Sequence, residues 1–326
     1  MSTSPIRLKP PSALSRPAKP GRSARPAAAG RRPERLAAAT AASSSLARTF
    51  AILDLFTLET PVIEVDDVVK GLGYTRSTAY RYLKELCAAG LLRPTVQAGQ
   101  YALGARIVEL ERLLELTDPL YRAGRDILEK VRSHEGSLLL QSLNQNNQVL
   151  CIYKKGPDVL EHAGAQVALT RSRGVPFPLF RGAASLVILA CLSSHRIRQT
   201  YLADAQQIAE AGLGQDWEEF RARMAAIRKR GYAVSRTEGK RPLVVGIAVP
   251  IHLPAPDQKR VIGSIVQVCA GDQSPTQEAT AVKRLMAAAQ QIAQQYLSFS
   301  QVPSSHRSNG ARASTASPFK DWQLIS

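Results

Sequence analysis

The chain has 326 residues and a formal net charge of +17, from 43 Lys and Arg against 26 Asp and Glu. This length suits about two domains, and the 44% of hydrophobic residues provides for a buried core, which excludes a wholly disordered chain. Four scattered cysteines without a CxxC pair exclude a disulfide scaffold and argue against a structural zinc site, and the charge favours a polyanionic partner such as nucleic acid.

Most of the excess positive charge lies at the start of the chain. Up to Arg48 there are ten basic residues, and Glu34 is the one acidic residue. This stretch is rich in Pro, Ala, Ser and Arg, and it has too few large apolar residues to offset the entropy cost of ordering. We expect residues 1–45 to form a disordered basic head, either a solvated tail or a DNA tether, with an organelle transit peptide as the alternative. Residues 301–326 are likewise expected to form a disordered tail.

Order is expected to begin with an amphipathic helix, at the start of a first domain over residues 46–106. The apolar residues that recur there at helical spacing are Leu46, Phe50, Leu53 and Phe56. They predict one continuous helix that ends before Pro61.

A helix, a tight turn and a second helix are predicted next. Asp66 and Asp67 suit the first turn of the first helix, where the helix dipole favours negative charge. Gly73 can adopt the left-handed conformation that ends a helix. Thr75 or Ser77 can then cap the second helix.

The outward face of this second helix combines basic, hydroxyl and aromatic side chains that suit base edges and phosphates. The candidate DNA-binding residues are Arg76, Ser77, Thr78, Tyr80, Arg81 and Lys84. Two strand-like runs follow at Leu91–Arg93 and Gln100–Leu103 and predict a β-hairpin wing. The segment is therefore predicted to be a winged helix-turn-helix, and an ordinary helical hairpin with a solvated basic face is the alternative.

Residues 107–117 predict a linker helix between two domains. Ile107, Leu110 and Leu114 form a narrow apolar stripe among charged residues. The stripe could pair with a second subunit, giving a homodimer or a dimer of dimers, or it could pack on its own domain. Both interpretations stay open at this point.

Residues 118–300 are predicted to form a second domain of mixed strands and helices. Strands are expected over 137–143, 149–154, 166–170, 243–251 and 261–268, and helices over 119–136, 181–191, 195–202, 217–229 and 276–297. Strands first, helices in the middle, strands again and a terminal helix indicate an α+β domain around an antiparallel sheet.

Two groups of motifs resemble the IclR-type transcriptional regulators. In the first domain they are GYTRSTAYRYL from Gly73, GLL from Gly90 and YALG ending at Gly104. In the second domain they are GVPFPL from Gly174, GAAS from Gly182, IRKRGYAVS from Ile227, IAVP from Ile247 and VIGS from Val261. The resemblance covers residues 46–298 and implies a winged helix-turn-helix joined by a linker helix to a GAF-like ligand-sensing domain. It also implies base or phosphate contact by the candidate residues from Arg76 to Arg81.

In this family a small acidic or aromatic metabolite lies between the sheet and the loop that opens the central helix. The resemblance assigns the carboxylate to backbone N–H groups at that helix start, with a cation beside them. The candidate effector-binding residues are Arg181, Gly182, Ala183, Ala184, Gly246, Ser264 and Gln267. Gly246 stands where many members have Cys, so we expect a more apolar cavity that suits an aromatic or hydrophobic acid. The alternative is that residues 182–185 simply let a buried helix pack closely.

Catalysis finds little support in the sequence. The chain has no HExxH, GxSxG or GxxxxGK[ST] motif, and its five histidines are scattered, so we predict no catalytic residue, metal or cofactor. Its longest uncharged apolar stretch has about a dozen residues, against the roughly 20 of a membrane span. We predict a cytoplasmic, effector-responsive regulator that binds double-stranded DNA. The alternatives are an effector-independent nucleic-acid-binding protein with a degenerate sensor, and an enzyme with a DNA-binding head.

Overall fold

A computed structural model describes most of the region between the predicted head and tail. The described residues are 44–131, 136–144, 147–169, 173–237, 243–253 and 260–300. The predictions of a disordered head and a disordered tail therefore fall on segments outside the described residues, apart from Ser44 and Ser45. Within the described ranges, no helix is long and apolar enough to cross a membrane.

The first helix, α1 (Ser45–Ala51), differs from its prediction. It gives way to a 3-10 turn at Leu53–Leu55, so the predicted single stripe does not lie on one helix. Leu46 and Phe50 are 66% and 46% exposed, whereas Leu53 and Phe56, which follow α1, are partly buried against the core. The prediction was therefore wrong for Leu46 and Phe50, because the side of α1 that meets the core carries Thr49, Ala51 and Ile52 instead.

The helix-turn-helix is confirmed in its local detail. In the first turn of helix α2 (Val65–Leu72), the carboxylate of Asp67 accepts the backbone N–H of Glu64 at 2.8 Å. Gly73 ends the helix with φ of 70°. That left-handed conformation strains any residue with a Cβ, which is why glycine suits the turn. Helix α3 (Arg76–Ala88) follows, and the side chain of Thr75 caps it. The two helices share a core made of Val68, Leu72, Tyr74, Ala79, Tyr82 and Leu83.

The wing contains one strand more than the sequence predicts. Strands β2 (Leu92–Pro94) and β3 (Gln100–Leu103) pair antiparallel as expected. Strand β1 (Val62–Glu64), which precedes α2, pairs with the other edge of β3. The resulting three-stranded sheet ties the wing to the entry of the helix-turn-helix, and so fixes the wing relative to α3.

A linker helix, α4 (Arg106–Thr117), lies where one was predicted. None of its side chains is buried within the described chain. Asp118 then caps helix α5 (Pro119–Leu128) by accepting the backbone N–H of Tyr121 at 2.6 Å. Helix α5 is shorter than its predicted extent to residue 136, because the chain tightens into a turn after Leu128.

The second domain is built on a six-stranded antiparallel sheet with the order β8-β5-β4-β11-β10-β9. Its strands are β4 (Ser137–Leu143), β5 (Gln148–Lys155), β8 (Pro176–Pro178), β9 (Ala233–Arg236), β10 (Val244–Leu253) and β11 (Arg260–Ala270). A separate hairpin consists of β6 (Val159–His162) and β7 (Ala165–Ala168). The predicted antiparallel α+β class is confirmed, whereas β6, β8 and β9 were not predicted.

Helices cover both faces of this sheet. They are α6 (Ala183–Ala190), α7 (Ser194–Glu210), α8 (Trp217–Arg230) and α9 (Pro275–Ser300). Helices α6 and α8 contribute to the core on one face, and α5 and α9 pack on the other. All eight residues of α6 are buried, so both of its ends meet groups from the surrounding elements. Two cavities lie at those ends, and they are described below.

Candidate DNA interface and effector cavity

The outward face of α3 presents the predicted DNA-binding side chains together. Arg76, Ser77, Arg81 and Lys84 are exposed, and Tyr80 is 48% exposed although it is aromatic. The opposite face of α3 is packed against α1 and α2 through the buried residues of the first core. One side of the helix is therefore anchored while the other is free to enter a groove.

Two contacts orient the arginines on this face. The Arg76 guanidinium lies 3.0 Å from the Asp66 carboxylate on α2, and both side chains are at least half exposed. The guanidinium of Arg81 lies 4.9 Å from the centre of the Tyr82 ring. An ion pair as exposed as that of Arg76 contributes little to stability, and the uncharged Tyr82 ring leaves the charge of Arg81 in place.

Thr78 has a structural partner that the sequence analysis did not assign. The Thr75 hydroxyl accepts the backbone N–H of Thr78 at 3.3 Å and donates to the Thr78 hydroxyl at 2.9 Å. Thr75 also lies 3.2 Å from the Ser77 hydroxyl. These hydroxyls therefore form the cap of α3, and contact with DNA would have to compete with or share those hydrogen bonds.

The expected effector region contains a cavity of about 850 Å³ at the start of α6. Among the predicted residues, Arg181, Gly182 and Gly246 line it. Gly182 is the N-cap of α6, with φ of 78°, a conformation that favours glycine and brings the backbone of the helix start to the cavity. Ala183 and Ala184 are buried behind this opening, each about 1% exposed.

Gly246 keeps the cavity open where β10 passes beneath it. A Cβ at this position would lie 3.0 Å from the Ser235 hydroxyl, 3.7 Å from a methyl of Val266 and 3.9 Å from the Cβ of Ala183. Any larger side chain would therefore project into the cavity. The absence of a side chain at this position enlarges the space and removes one source of polar contacts.

Ser264 and Gln267 do not line this cavity, contrary to their predicted role. The Ser264 side chain is fully buried, and its hydroxyl donates to the Ala184 carbonyl at 3.0 Å. Gln267 accepts a hydrogen bond from Arg284 on α9, which packs on the opposite face of the sheet. Because side chains alternate along a strand, Gln267 faces away from Val266 and Val268, which do line the cavity.

Two further arginines, which the sequence did not predict, line this cavity. Arg223 from α8 and Arg236 from β9 line it, together with Ser235 and Glu210. Arg236 also forms an ion pair with Glu278, which lies on α9. With Arg181 included, three arginines line the cavity, and Glu210 in the lining and Glu278 beside Arg236 oppose them. The walls therefore carry a small excess of positive charge, which we did not expect. Arg223 and Arg236 lie just outside the motif 227–235, and no local pattern indicated that they face inward.

Comparison with known proteins agrees with both domains. Residues 45–95 match the IclR helix-turn-helix domain, and residues 122–295 match the bacterial transcriptional regulator IclR C-terminal domain. The chain is 23% identical over 208 residues to the HTH-type transcriptional regulator XynR of Escherichia coli (strain K12), covering 64% of this chain and 79% of XynR.

Solved structures show the same fold. An IclR transcriptional regulator from Alicyclobacillus acidocaldarius aligns with a TM-score of 0.62 at 22% identity, covering 77% of this chain and 98% of that one. An IclR homologue from Microbacterium hydrocarbonoxydans, complexed with 4-hydroxybenzoate, aligns with a TM-score of 0.58 at 21% identity, covering 78% and 100%. The fold, the order of the two domains and the two domain matches lead to one conclusion: the chain belongs to the IclR family of transcriptional regulators, with a DNA-binding helix-turn-helix domain and a C-terminal ligand-binding domain.

Proposed function

We propose that this protein regulates transcription in response to a small organic acid that binds at the start of α6. The observation that carries this proposal is the cavity of about 850 Å³ lined by Arg181, Arg223 and Arg236 beside the N-cap Gly182. A carboxylate placed there meets guanidinium groups and the positive end of a helix dipole. A neutral ligand of the same size would lack this charge-assisted hydrogen bonding.

The rest of the cavity favours an acid with an aromatic or other apolar body. Its apolar lining includes Leu139, Phe180, Leu186, Val234 and Val266. A ring lying on these side chains loses contact with water while its carboxylate stays at the arginines. The relative from Microbacterium hydrocarbonoxydans was crystallised with 4-hydroxybenzoate, which has this combination of groups. This acid is therefore the first probe to use.

On the DNA side, we propose that α3 enters the major groove with its exposed face. Arg76, Arg81 and Lys84 would contact phosphates and base edges, while Ser77 and Tyr80 add shorter-range contacts. The hydroxyl of Thr78 would serve mainly in the cap, in keeping with its bond to Thr75. Double-stranded DNA is the proposed partner.

We further propose that α4 pairs with a second copy of the chain, which gives a homodimer or a dimer of dimers. Four of its apolar residues are substantially exposed: Val108, Leu110, Leu113 and Leu114. Pairing would remove this surface from water and set the spacing between two α3 helices. The effector can shift that spacing only if it binds one arrangement more tightly than the other.

The test is an effector titration of the full-length protein on a DNA site found by footprinting upstream of its own gene. We expect 4-hydroxybenzoate or a related aromatic acid to raise the melting temperature and to change DNA affinity. Arg223→Gln should weaken effector binding by about 1.5–3 kcal/mol, the cost of losing a charged hydrogen bond, and leave DNA affinity without effector unchanged.

The matched control is Arg221→Gln. Arg221 lies on the same helix and pairs with Glu218 at 3.4 Å on the surface, so its loss should leave effector binding unaltered. If no organic acid changes either the melting temperature or the DNA affinity, the effector-independent alternative is correct. If both arginine variants weaken binding equally, the ligand does not contact Arg223 specifically.

A further inference from the structure

A second cavity, of about 880 Å³, lies at the other end of α6. None of the residues that line it also lines the effector cavity. Val187 and Cys191 border it at the C-terminal end of α6, whereas Leu186 borders the effector cavity. The same buried helix therefore forms part of the wall of both spaces.

The second cavity exists because the sheet is incomplete at this edge. Strand β9 pairs with β10 from Val245 to Ala248 only, so β10 continues to Leu253 without a described neighbour on that side. Helix α9 faces the gap partly with small side chains, Ala289 and Ala293. The missing strand and the small side chains leave a space that lies within the range of ligand-binding cavities, roughly 300–1,000 Å³.

The walls of the second cavity are largely apolar. Val187, Ile227, Val249 and Met286 contribute to them along with the two alanines of α9. An aliphatic chain or a fused ring system placed there would be removed from water on several sides. The body of the ligand should therefore be apolar.

One fixed charge, that of Arg228, lies among the described lining residues, and no Asp or Glu is among them. The Arg228 Nε and Nη2 groups donate to the carbonyls of Ala190 and Leu192 at 2.5 and 2.7 Å. These bonds hold the guanidinium in place and use two of its five N–H donors. No carboxylate among the described lining residues compensates its charge. The remaining donors suit a carboxylate.

A thiol and an imidazole also line the cavity, along with two serines and two glutamines. The Cys191 Sγ lies 3.6 Å from the His252 Nε2. Burial raises the pKa of the Cys191 thiol, and the charge of Arg228 only partly opposes this effect. The pair can therefore form a weak hydrogen bond, but the thiol is not activated as a thiolate. The described residues hold no cluster of three metal-ligating groups.

We propose that the second cavity binds an amphipathic monocarboxylic acid, with its carboxylate at Arg228 and its apolar body between α6, β10 and α9. This ligand class differs from that proposed for the effector cavity, which is lined by three arginines and not by one. Occupation of the second cavity would act on α6 from its C-terminal end. The domain would therefore have a second ligand-binding site, separate from the effector cavity.

Decanoate is the probe, and decan-1-ol is its uncharged counterpart, both titrated calorimetrically into the full-length protein. We expect decanoate to bind and decan-1-ol to bind at least about tenfold more weakly, since it lacks the charged hydrogen bond. Arg228→Gln should weaken decanoate by a similar factor and leave decan-1-ol unchanged. Ala293→Phe, which fills the cavity from α9, should weaken both ligands even if Arg228→Gln perturbs folding.

Alkylation of cysteines gives a local readout of where the probe lies. Cys191 and Cys87 are both partly buried free thiols, but Cys87 lies in the DNA-binding domain. Decanoate should slow alkylation of Cys191, measured by peptide mass spectrometry, and leave Cys87 unaffected.

Three results would overturn the proposal. One is the absence of decanoate binding at millimolar concentration, and another is equal protection of Cys191 and Cys87. The third is a loss of decanoate affinity in Arg223→Gln with none in Arg228→Gln, which would assign the probe to the effector cavity. The proposed response to aromatic acids is tested separately by Arg223→Gln, so failure of one proposal leaves the other standing.

Discussion

The proposed DNA-reading helix, α3, and the proposed effector cavity are built in opposite ways. The candidate contacts of α3 all lie within nine consecutive residues, from Arg76 to Lys84. The effector cavity draws Arg181 from the loop before α6, Arg223 from α8 and Arg236 from β9. A site on one helix depends on that helix forming and docking, whereas a cavity depends on several elements meeting at once.

This difference indicates which changes each site tolerates. The outward residues of α3 contribute little to the first core, so they can change with the DNA site at small cost in stability. The cavity residues adjoin a core that also contains Phe180, Leu186 and Phe220. Substitutions in the proposed effector cavity therefore place packing at risk, while substitutions on the outward face of α3 do not.

The largest effect is expected from removing two cations of α3. Arg76→Ala with Arg81→Ala should weaken binding to the DNA site by about 2–6 kcal/mol, because each base or phosphate contact of this kind is worth roughly 1–3 kcal/mol. Fluorescence anisotropy at several salt concentrations would measure both the affinity and its salt slope. The control is Arg198→Ala, on a helix of the second domain, where Arg198 lies 5.8 Å from the Trp217 ring. Unchanged affinity and salt slope in the double variant would mean that α3 is not the DNA-reading helix.

A substitution in the core beside the proposed effector cavity tests whether that cavity depends on packing. Phe220 is fully buried, and its ring centre lies 5.6 Å from that of Tyr201. Phe220→Ala should lower the free energy of unfolding of the second domain by about 3–5 kcal/mol. Effector binding should then be lost at temperatures at which the variant unfolds and the unsubstituted protein stays folded. Chemical denaturation followed by circular dichroism measures the loss. The exposed neighbour Arg221→Ala should change stability by no more than about 0.5 kcal/mol, and a similar loss in both variants would contradict the packing argument.

The smallest effect is expected at the cap of α3. Thr75→Ala removes the hydroxyl that accepts the Thr78 N–H and should cost about 1 kcal/mol of stability. Thr75→Ser keeps an acceptor at the same place and should restore most of the loss. Thermal unfolding of the full-length protein compares the variants. If Thr75→Ser is as unstable as Thr75→Ala, the hydroxyl is not the source of the stabilisation.

The sequence predicted the DNA-binding domain in detail because its signals are local. Gly73 ends α2 and Thr75 caps α3 through contacts within a few residues, so the identity of each residue is enough. The same reasoning failed at Leu46 and Phe50, which lie on α1 but face away from the core. Strand β1 was also missed, because three residues are too few to show an alternation.

For the effector cavity, the sequence identified the helix start but not the surrounding groups. Arg181 and Gly182 were assigned through the resemblance to the IclR family, and both line the cavity. Gln267 was placed on the wrong face, because a one-residue difference in strand register reverses the side on which a side chain lies. Arg223 and Arg236 were missed because nothing local marks a surface arginine as facing a cavity.

The sequence by itself therefore determined the two-domain order, the antiparallel α+β class and the composition of the α3 surface. These properties follow from periodicity, capping and turn residues, which act over a few positions along the chain. The tertiary structure alone decided which arginines meet at α6, which strand edge stays open, and that a second cavity lies at the other end of the same helix. Those features depend on register and on contacts between distant segments, for which a single sequence carries no local signal.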